Sequence, residues 1–220
     1  MGVYDSPIFY EFNADACVGR WDMPTLKPVM AQPKTMVGFN YARSWKEETK
    51  GVCIHFFLDD VVFERVWNRP MDNVNALKRY EYVLTPDFSL FRNMPQPMML
   101  WNIFRSRLFG QLCQRHGLTV IPTVSWADEN SFDYCFDGLP VGGTLCISTV
   151  GLARERTAWG IFERGVLEMC RRCKPKLILC YGEGDIPAQD IDNRDYIQGC
   201  PVVRYPSFAF RRWNARGRKR

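Results

Sequence analysis

Five apolar runs in this chain each close on polar, reactive residues: VCIHFFLDD, YVLTPDFS, TVIPTVSWADE, LCISTVG and LILCYGEGD. Runs that are short and nearly continuous in apolar residues read as strands covered on both faces, the mark of a mostly parallel sheet. Their polar ends are Asp59 and Asp60; Asp87 and Ser89; Ser125, Trp126, Asp128 and Glu129; Ser148; and Tyr181, Glu183 and Asp185. In α/β folds, ligands bind at the carboxyl ends of parallel strands. The pattern therefore predicts that residues far apart in sequence converge on one cleft.

Between these runs the periodicity turns helical. Strands are expected at 36–42, 52–58, 82–85, 118–124, 144–150, 177–182 and 201–207. A helical region at 61–79 is interrupted by Pro70, which breaks or restarts a helix. The clearest helix is 96–116, with Leu100, Phe104, Leu108 and Leu112 at i,i+4 spacing and Gly117 as its stop. Pro122 marks an irregular or edge position in its strand. A short helix is expected at 127–138 and a longer one at 155–173, with Ile161, Gly165 and Met169 on one face. Alternating strands and helices predict an α/β fold, a mostly parallel sheet with helices on both faces, either doubly wound or an incomplete barrel. Residues 1–35, rich in Pro and aromatics, read as an irregular cover. The expected organisation is one domain over 1–210 and a basic tail over 211–220.

That tail carries most of the charge argument. The formal net charge is +5, yet six of the 29 basic residues lie in 211–220, leaving 23 against 24 acidic residues elsewhere. Arg211, Arg212, Trp213, Arg216, Arg218, Lys219 and Arg220 suit phosphate contact and base stacking; a frayed, solvated terminus is the alternative. No apolar run approaches a membrane span. The N-terminus shows no signal-peptide pattern. The nine cysteines, several inside strand-like runs, read as reduced, buried thiols of a cytoplasmic protein.

The strings TPDFSLFRNMP, LWNIFRSRLFGQ, GLTVIPTVSWADENSFDYCFDGLP and CISTVG resemble a family carried by bacteria, phages and mobile elements that is known only as a domain of unknown function. The resemblance covers the central third and extends to LILCYG. It implies a prokaryotic or phage origin and no particular chemistry.

The residues themselves supply the candidates. Asp87 follows a Pro that enforces an extended approach, and a carboxylate there can act as a general base; a turn cap is its alternative. Asp128 is a second candidate base, with helix N-capping as its alternative. Ser125, Trp126, Ser148, Tyr181 and Glu183 stand at strand ends as substrate contacts, the indole of Trp126 as a stacking surface for a base or sugar. Asn102 and Arg105, three apart on the clearest helix, are candidates for a base edge and a phosphate, with a solvated face as the alternative. Neither a P-loop nor a G-x-G-x-x-G precedes a helix. Cys170-Arg-Arg-Cys173 is a lone C-x-x-C without the second tight pair of a zinc site. His55 reads as a satisfied core residue and His116 as the charge at a helix end. No metal and no cofactor is expected. The leading expectation is a hydrolase acting on nucleic acid, DNA foremost, or on a nucleotide, cleaving a base–sugar bond in the manner of a DNA glycosylase. The alternatives are a non-catalytic nucleic-acid-binding or replication accessory protein and a protein that sequesters a nucleotide signal.

Overall fold

The protein is an α/β fold whose parallel strands follow one another in space in the order of the sequence. The structure, a computed structural model, describes residues 8, 12–152, 156–183 and 195–207. A small antiparallel pair, β1 (Cys17–Val18) and β2 (Met23–Pro24), belongs to the N-terminal cover. Four parallel strands follow: β3 (Thr35–Gly38), β4 (Val52–His55), β5 (Tyr82–Leu84) and β6 (Val120–Ile121). Helices α1 (Asp60–Phe63), α2 (Arg65–Asn68) and α3 (Pro70–Leu77) lie between β4 and β5, with Pro70 at the start of α3 rather than inside a helix. Helix α4 (Gln96–Arg115) joins β5 to β6, and the short α5 (Phe132–Cys135) leads to β7 (Thr144–Ser148). Helix α6 (Arg156–Cys173) precedes β8 (Leu177–Tyr181), and the chain returns through β9 (Tyr196–Ile197) to β10 (Cys200–Tyr205), which runs parallel to β8.

The two four-stranded sheets are joined where Thr123 bridges Cys146 in parallel. Val124 N–H donates to the Cys146 carbonyl at 2.8 Å and Cys146 N–H to the Pro122 carbonyl at 2.9 Å. Pro122 is therefore internal, at the point where β6 exchanges its partner. Beyond it the ladder to β5 continues through side chains: Thr123 N–H donates to the Thr85 hydroxyl and the Thr123 hydroxyl to the Thr85 carbonyl, both at 2.9 Å.

The combined sheet is rolled. His55 on β4 and Tyr181 on β8 are four strands apart, which in a flat sheet is roughly 19 Å, yet their ring centroids are 4.4 Å apart. The Tyr205 hydroxyl at the end of β10 donates to the carbonyl of Pro33, just before β3, at 2.6 Å. Between β3 and β10 there is a gap of about 610 Å³ in place of paired strands. The result is an incomplete barrel of seven parallel strands. Alternation along the strands fits this shape. Cys146, Leu177, Leu179 and Tyr181 pack with the core of β3–β6, while Leu145, Ile147, Ile178 and Cys180 pack outward with Phe162, Val166 and Met169 of α6.

Helix α4 buries its expected apolar residues Leu108 and Leu112, and with them Asn102, Arg105, Ser106, Arg107 and Gln111. Gly110 lets the helix approach β5, since a Cβ there would stand 2.5 Å from Cγ2 of Thr85. Arg107 is 1% exposed, and among the described residues no carboxylate is hydrogen-bonded to it. Its guanidinium donates to the carbonyls of Asp137 and Thr123, both at 3.3 Å, and of Cys135 at 2.8 Å. Burial pulls its pKa down to about 10 against the opposing influence of Cys135, Cys173 and Asp137. The N-terminal cover is fastened to the same helix through Gln111, which donates to the carbonyls of Ala16 and Thr25. It then runs under the barrel, where Ala31 N–H donates to the Thr144 hydroxyl.

All nine cysteines are free thiols, seven of them buried. Burial raises Cys170, Cys173 and Cys200 to about 11. Among the described residues no helix is long and apolar enough to cross a membrane.

Replacing Arg107 by Ala removes three charge-assisted hydrogen bonds, strands buried carbonyls and leaves a void. The expected loss is about 3 kcal/mol or more, read as a lower urea midpoint with an unchanged slope. A loss below about 0.5 kcal/mol, the range of ordinary surface substitutions, would show that the carbonyl cradle contributes little.

Candidate functional site

A cleft of about 590 Å³ opens at the carboxyl ends of β4, β5, β6 and β7. Among the described residues its polar lining comes from Asp59, Asp87, Ser89, Ser125 and Ser148, with the cation Arg92. Its walls are Phe57, Phe88, Phe91, Trp126 and Phe162 with aliphatic residues between them. Four sequence candidates, Asp87, Ser125, Trp126 and Ser148, thus meet in one cavity.

Asp87 is the chemically distinctive group. The residue lines the cleft and keeps some exposure to it. Desolvation raises its pKa to about 7, against a hydrogen bond from Ser125 that favours the carboxylate and with a smaller upward push from Asp60. At neutral pH this carboxyl group is divided between its two protonation states, as a general base or acid requires.

The loop that carries Asp87 is held from several sides. Ser106 of α4 donates to the Pro86 carbonyl at 2.6 Å. The carboxylate of Asp60 accepts the Ser89 hydroxyl at 2.8 Å and the Ser89 N–H at 3.1 and 3.2 Å. Asn102 donates to the Ser89 carbonyl at 2.7 Å. Arg105 is buried, donating to Glu64 at 2.6 Å and to Asn102 at 3.1 and 2.8 Å, with its guanidinium 3.6 Å from the centroid of Phe88. Asn102 and Arg105 do not line the cleft. They are expected from sequence to meet a base and a phosphate; in the fold their hydrogen bonds shape the Asp87 loop instead.

Asp128 also stands outside the cleft. Its carboxylate caps the turn Glu129–Ser131 by accepting from Ser131 N–H at 3.2 Å, and the Ser131 hydroxyl closes a reciprocal capping box. This is the capping alternative open to it in sequence, and it leaves Asp87 as the candidate base. Glu129 pairs with Arg164 of α6.

Trp126 lines the cleft and is half-buried. It stacks on Phe162 at 5.4 Å and 29°, and it leans on Phe136 at 5.9 Å. Gly165 makes room for it: a Cβ there would lie 2.0 Å from the indole. Trp126 therefore serves as a wall of the cleft packed against Phe162 and Phe136. Ser148 accepts Val150 N–H at 3.1 Å. Tyr181 is buried beneath the cleft, stacked on Phe57 at 4.8 Å and against His55. His55 accepts Phe57 N–H on Nδ1 at 3.2 Å, the satisfied core role expected of it. Glu183 knits strand ends together: it accepts Ser207 N–H on its side chain at 2.7 Å and the Thr149 hydroxyl on its carbonyl at 3.0 Å.

Asp185 and the tail residues Arg211, Arg212, Trp213, Arg216, Arg218, Lys219 and Arg220 lie outside the described residues. Among the described residues no three His, Cys, Asp or Glu side chains group so as to hold a metal ion. The sequence candidates omitted Phe57, Phe88, Phe91, Arg92 and Phe162. The signal for three of them was the string DFSLFR itself, which places aromatics and a cation immediately after Asp87.

Because Asp87 stays protonated in the fold where the unfolded carboxyl group has ionised, wild-type stability should fall as pH rises from about 4 to about 7. Asp87→Asn should remove that slope and be more stable than wild type at pH 7 but not at pH 4. Parallel melting midpoints of the two proteins across this range are the check, and superimposable pH profiles would contradict the raised pKa. Gly165→Ala should displace the Trp126 indole at a cost of about 1–3 kcal/mol, seen as a lower midpoint and altered tryptophan fluorescence.

Two curated relatives come from phages. The chain is 38% identical over 194 residues to the protein named Gene 1 protein of Mycobacterium phage L5, covering 87% of this chain and 81% of that one. It is also 38% identical over 163 residues to the Gene 1 protein of Mycobacterium phage D29, covering 74% of this chain and 60% of that one. No solved structure matches. A family model described as Domain of unknown function (DUF4417) matches residues 15–205, and the chain belongs to that phage-carried family.

Proposed function

We propose that the protein is a hydrolase acting on nucleic acid, DNA foremost, and that it cleaves a base–sugar bond at the Asp87 cleft. The observation that carries this reading is one carboxyl group with a pKa of about 7 in an aromatic-walled cavity of about 590 Å³ at the strand ends. That volume suits one small-molecule-sized unit such as a nucleoside. The lining favours a base and sugar over a phosphate chain, because among the described residues its acids are Asp59 and Asp87 against one cation, Arg92. A flat base between apolar walls and a hydroxyl- and carboxylate-lined floor is the arrangement that base-excising chemistry uses.

In this mechanism the Asp87 carboxylate accepts a proton from water as the water oxygen bonds to the anomeric carbon. The bond from that carbon to the base nitrogen breaks, and the departing base takes its proton from solvent at the open mouth. Ser125 orients the carboxylate through its hydrogen bond. Asp59, on the same lining, favours the positive charge that develops on the sugar in an oxocarbenium-like transition state.

Asp87→Asn should lower turnover by ~10²–10⁴, the usual weight of general acid–base catalysis. Wild-type kcat/KM should climb through about pH 7 as Asp87 ionises. Asp128→Ala should cost about 1 kcal/mol of stability, as for a lost helix cap, with specific activity retained. The assay is release of free base from modified and unmodified DNA. Equal activity of wild type and Asp87→Asn on every substrate cleaved would refute the assignment. The basic tail extends the same reading: deleting 211–220 removes up to six cations and should flatten the salt dependence of DNA binding. An unchanged slope would detach the tail from binding.

A further inference from the structure

The loop fastened by Asp60, Asn102 and Ser106 does more than carry Asp87. Three residues after the buried Phe88 it turns, with Met94 N–H donating to the Phe91 carbonyl at 2.9 Å, and it presents Phe91 at the mouth of the cleft. Phe91 is 59% exposed. Single exposed apolar residues are ordinary on a protein surface, but several around one functional mouth are not. Val150, 53% exposed, lines the same cleft, and Val61, 84% exposed, stands two residues after Asp59. Phe91 therefore stands largely exposed at the lining of the cleft, two residues after the anchored Ser89. Its sequence neighbour Arg92 is a cation on that lining.

A base cannot enter an enclosed pocket while it remains stacked in a duplex. Taking it out leaves a gap in the stack, and apolar side chains such as Phe are known to wedge between base steps of a duplex. Phe91 has the character and position of such a side chain. It is apolar and largely exposed, it lies two residues after the anchored Ser89, and it stands four residues from the carboxyl group proposed to act on the extruded nucleotide. We propose that Phe91 is a wedge that enters the base stack of duplex DNA and fills the gap left by the nucleotide drawn into the Asp87 cleft, with Arg92 against the phosphates beside it. This rests on the reading of the protein as a nucleic-acid hydrolase and adds the duplex as its substrate form.

The test uses the full chain as wild type, Phe91→Ala and Phe91→Trp. The probes are a short duplex containing one tetrahydrofuran abasic analogue with 2-aminopurine opposite, and the tetrahydrofuran strand alone. The analogue has no base, so base preference of the cleft does not enter. Wild type should bind the duplex and change the 2-aminopurine fluorescence. Phe91→Ala should lower the ratio of duplex to single-strand affinity about tenfold, the scale of one lost stacking contact, and should lose the fluorescence change. Phe91→Trp should restore both. Melting midpoints confirm that the variants fold. The wedge is overturned if Phe91→Ala keeps the wild-type ratio and fluorescence, or if it weakens duplex and single strand equally. If wild type binds neither probe, the nucleic-acid reading itself falls and the wedge with it. Base release by wild type that is lost in Asp87→Asn but unaffected by Phe91→Ala would retain the enzyme and reject the wedge.

Discussion

One helix holds the two strand ends on which the candidate site depends. From successive turns of α4, Asn102 and Ser106 bind the backbone after β5, and Arg107 binds the backbone after β6 and around α5. These are donors of one helix meeting carbonyls of the loops after β5 and β6 and of the end of α5. Leaving such groups unmatched would cost more than the bonds contribute in water. The satisfied arrangement therefore specifies one loop geometry and excludes near alternatives. Gly110 permits the close contact with Thr85 that puts these donors within reach.

The cleft's chemistry follows from that rigidity. A carboxyl group free to swing into water would titrate near its ordinary value. Asp87 is kept among Ser125, Asp60 and apolar walls, so desolvation dominates and the group sits near neutrality. The loop anchored at Pro86 and Ser89 also carries the exposed Phe91 to the cleft lining. One loop thus combines a buried face, a reactive carboxyl group and an exposed ring. Asp60 contributes twice, by bonding Ser89 and by placing charge near Asp87.

Trp126 shows how packing redirects a residue that sequence alone leaves open. An indole after a strand end suggests a stacking surface. Gly165 on α6 and the ring of Phe162 pack against it, so it stiffens the wall between β6 and α6. Tyr181 follows the same logic one layer deeper, supporting Phe57 from inside the barrel.

The α/β class, the strand positions, the long helix and the convergence of Asp87, Ser125 and Ser148 were legible in sequence, because apolar runs with polar ends follow directly from strands buried on both faces. The restart at Pro70 and the irregularity at Pro122 were legible too, since proline lacks the donor that continuous structure needs. The closure of the sheet was not. It depends on His55 and Tyr181 meeting across the barrel, and no local period encodes a contact between residues so distant in the chain. Nor could sequence separate Asp87 from Asp128. Both follow strands, but one carboxylate is spent on the N–H of Ser131 while the other lies between protein and cleft. Arg105 reads in sequence as a phosphate contact or a solvated charge, and nothing in the sequence singles out Arg107. Only the fold decides that they are buried, because only tertiary packing brings Glu64, Asn102 and the carbonyls of Thr123, Cys135 and Asp137 to their guanidinium groups.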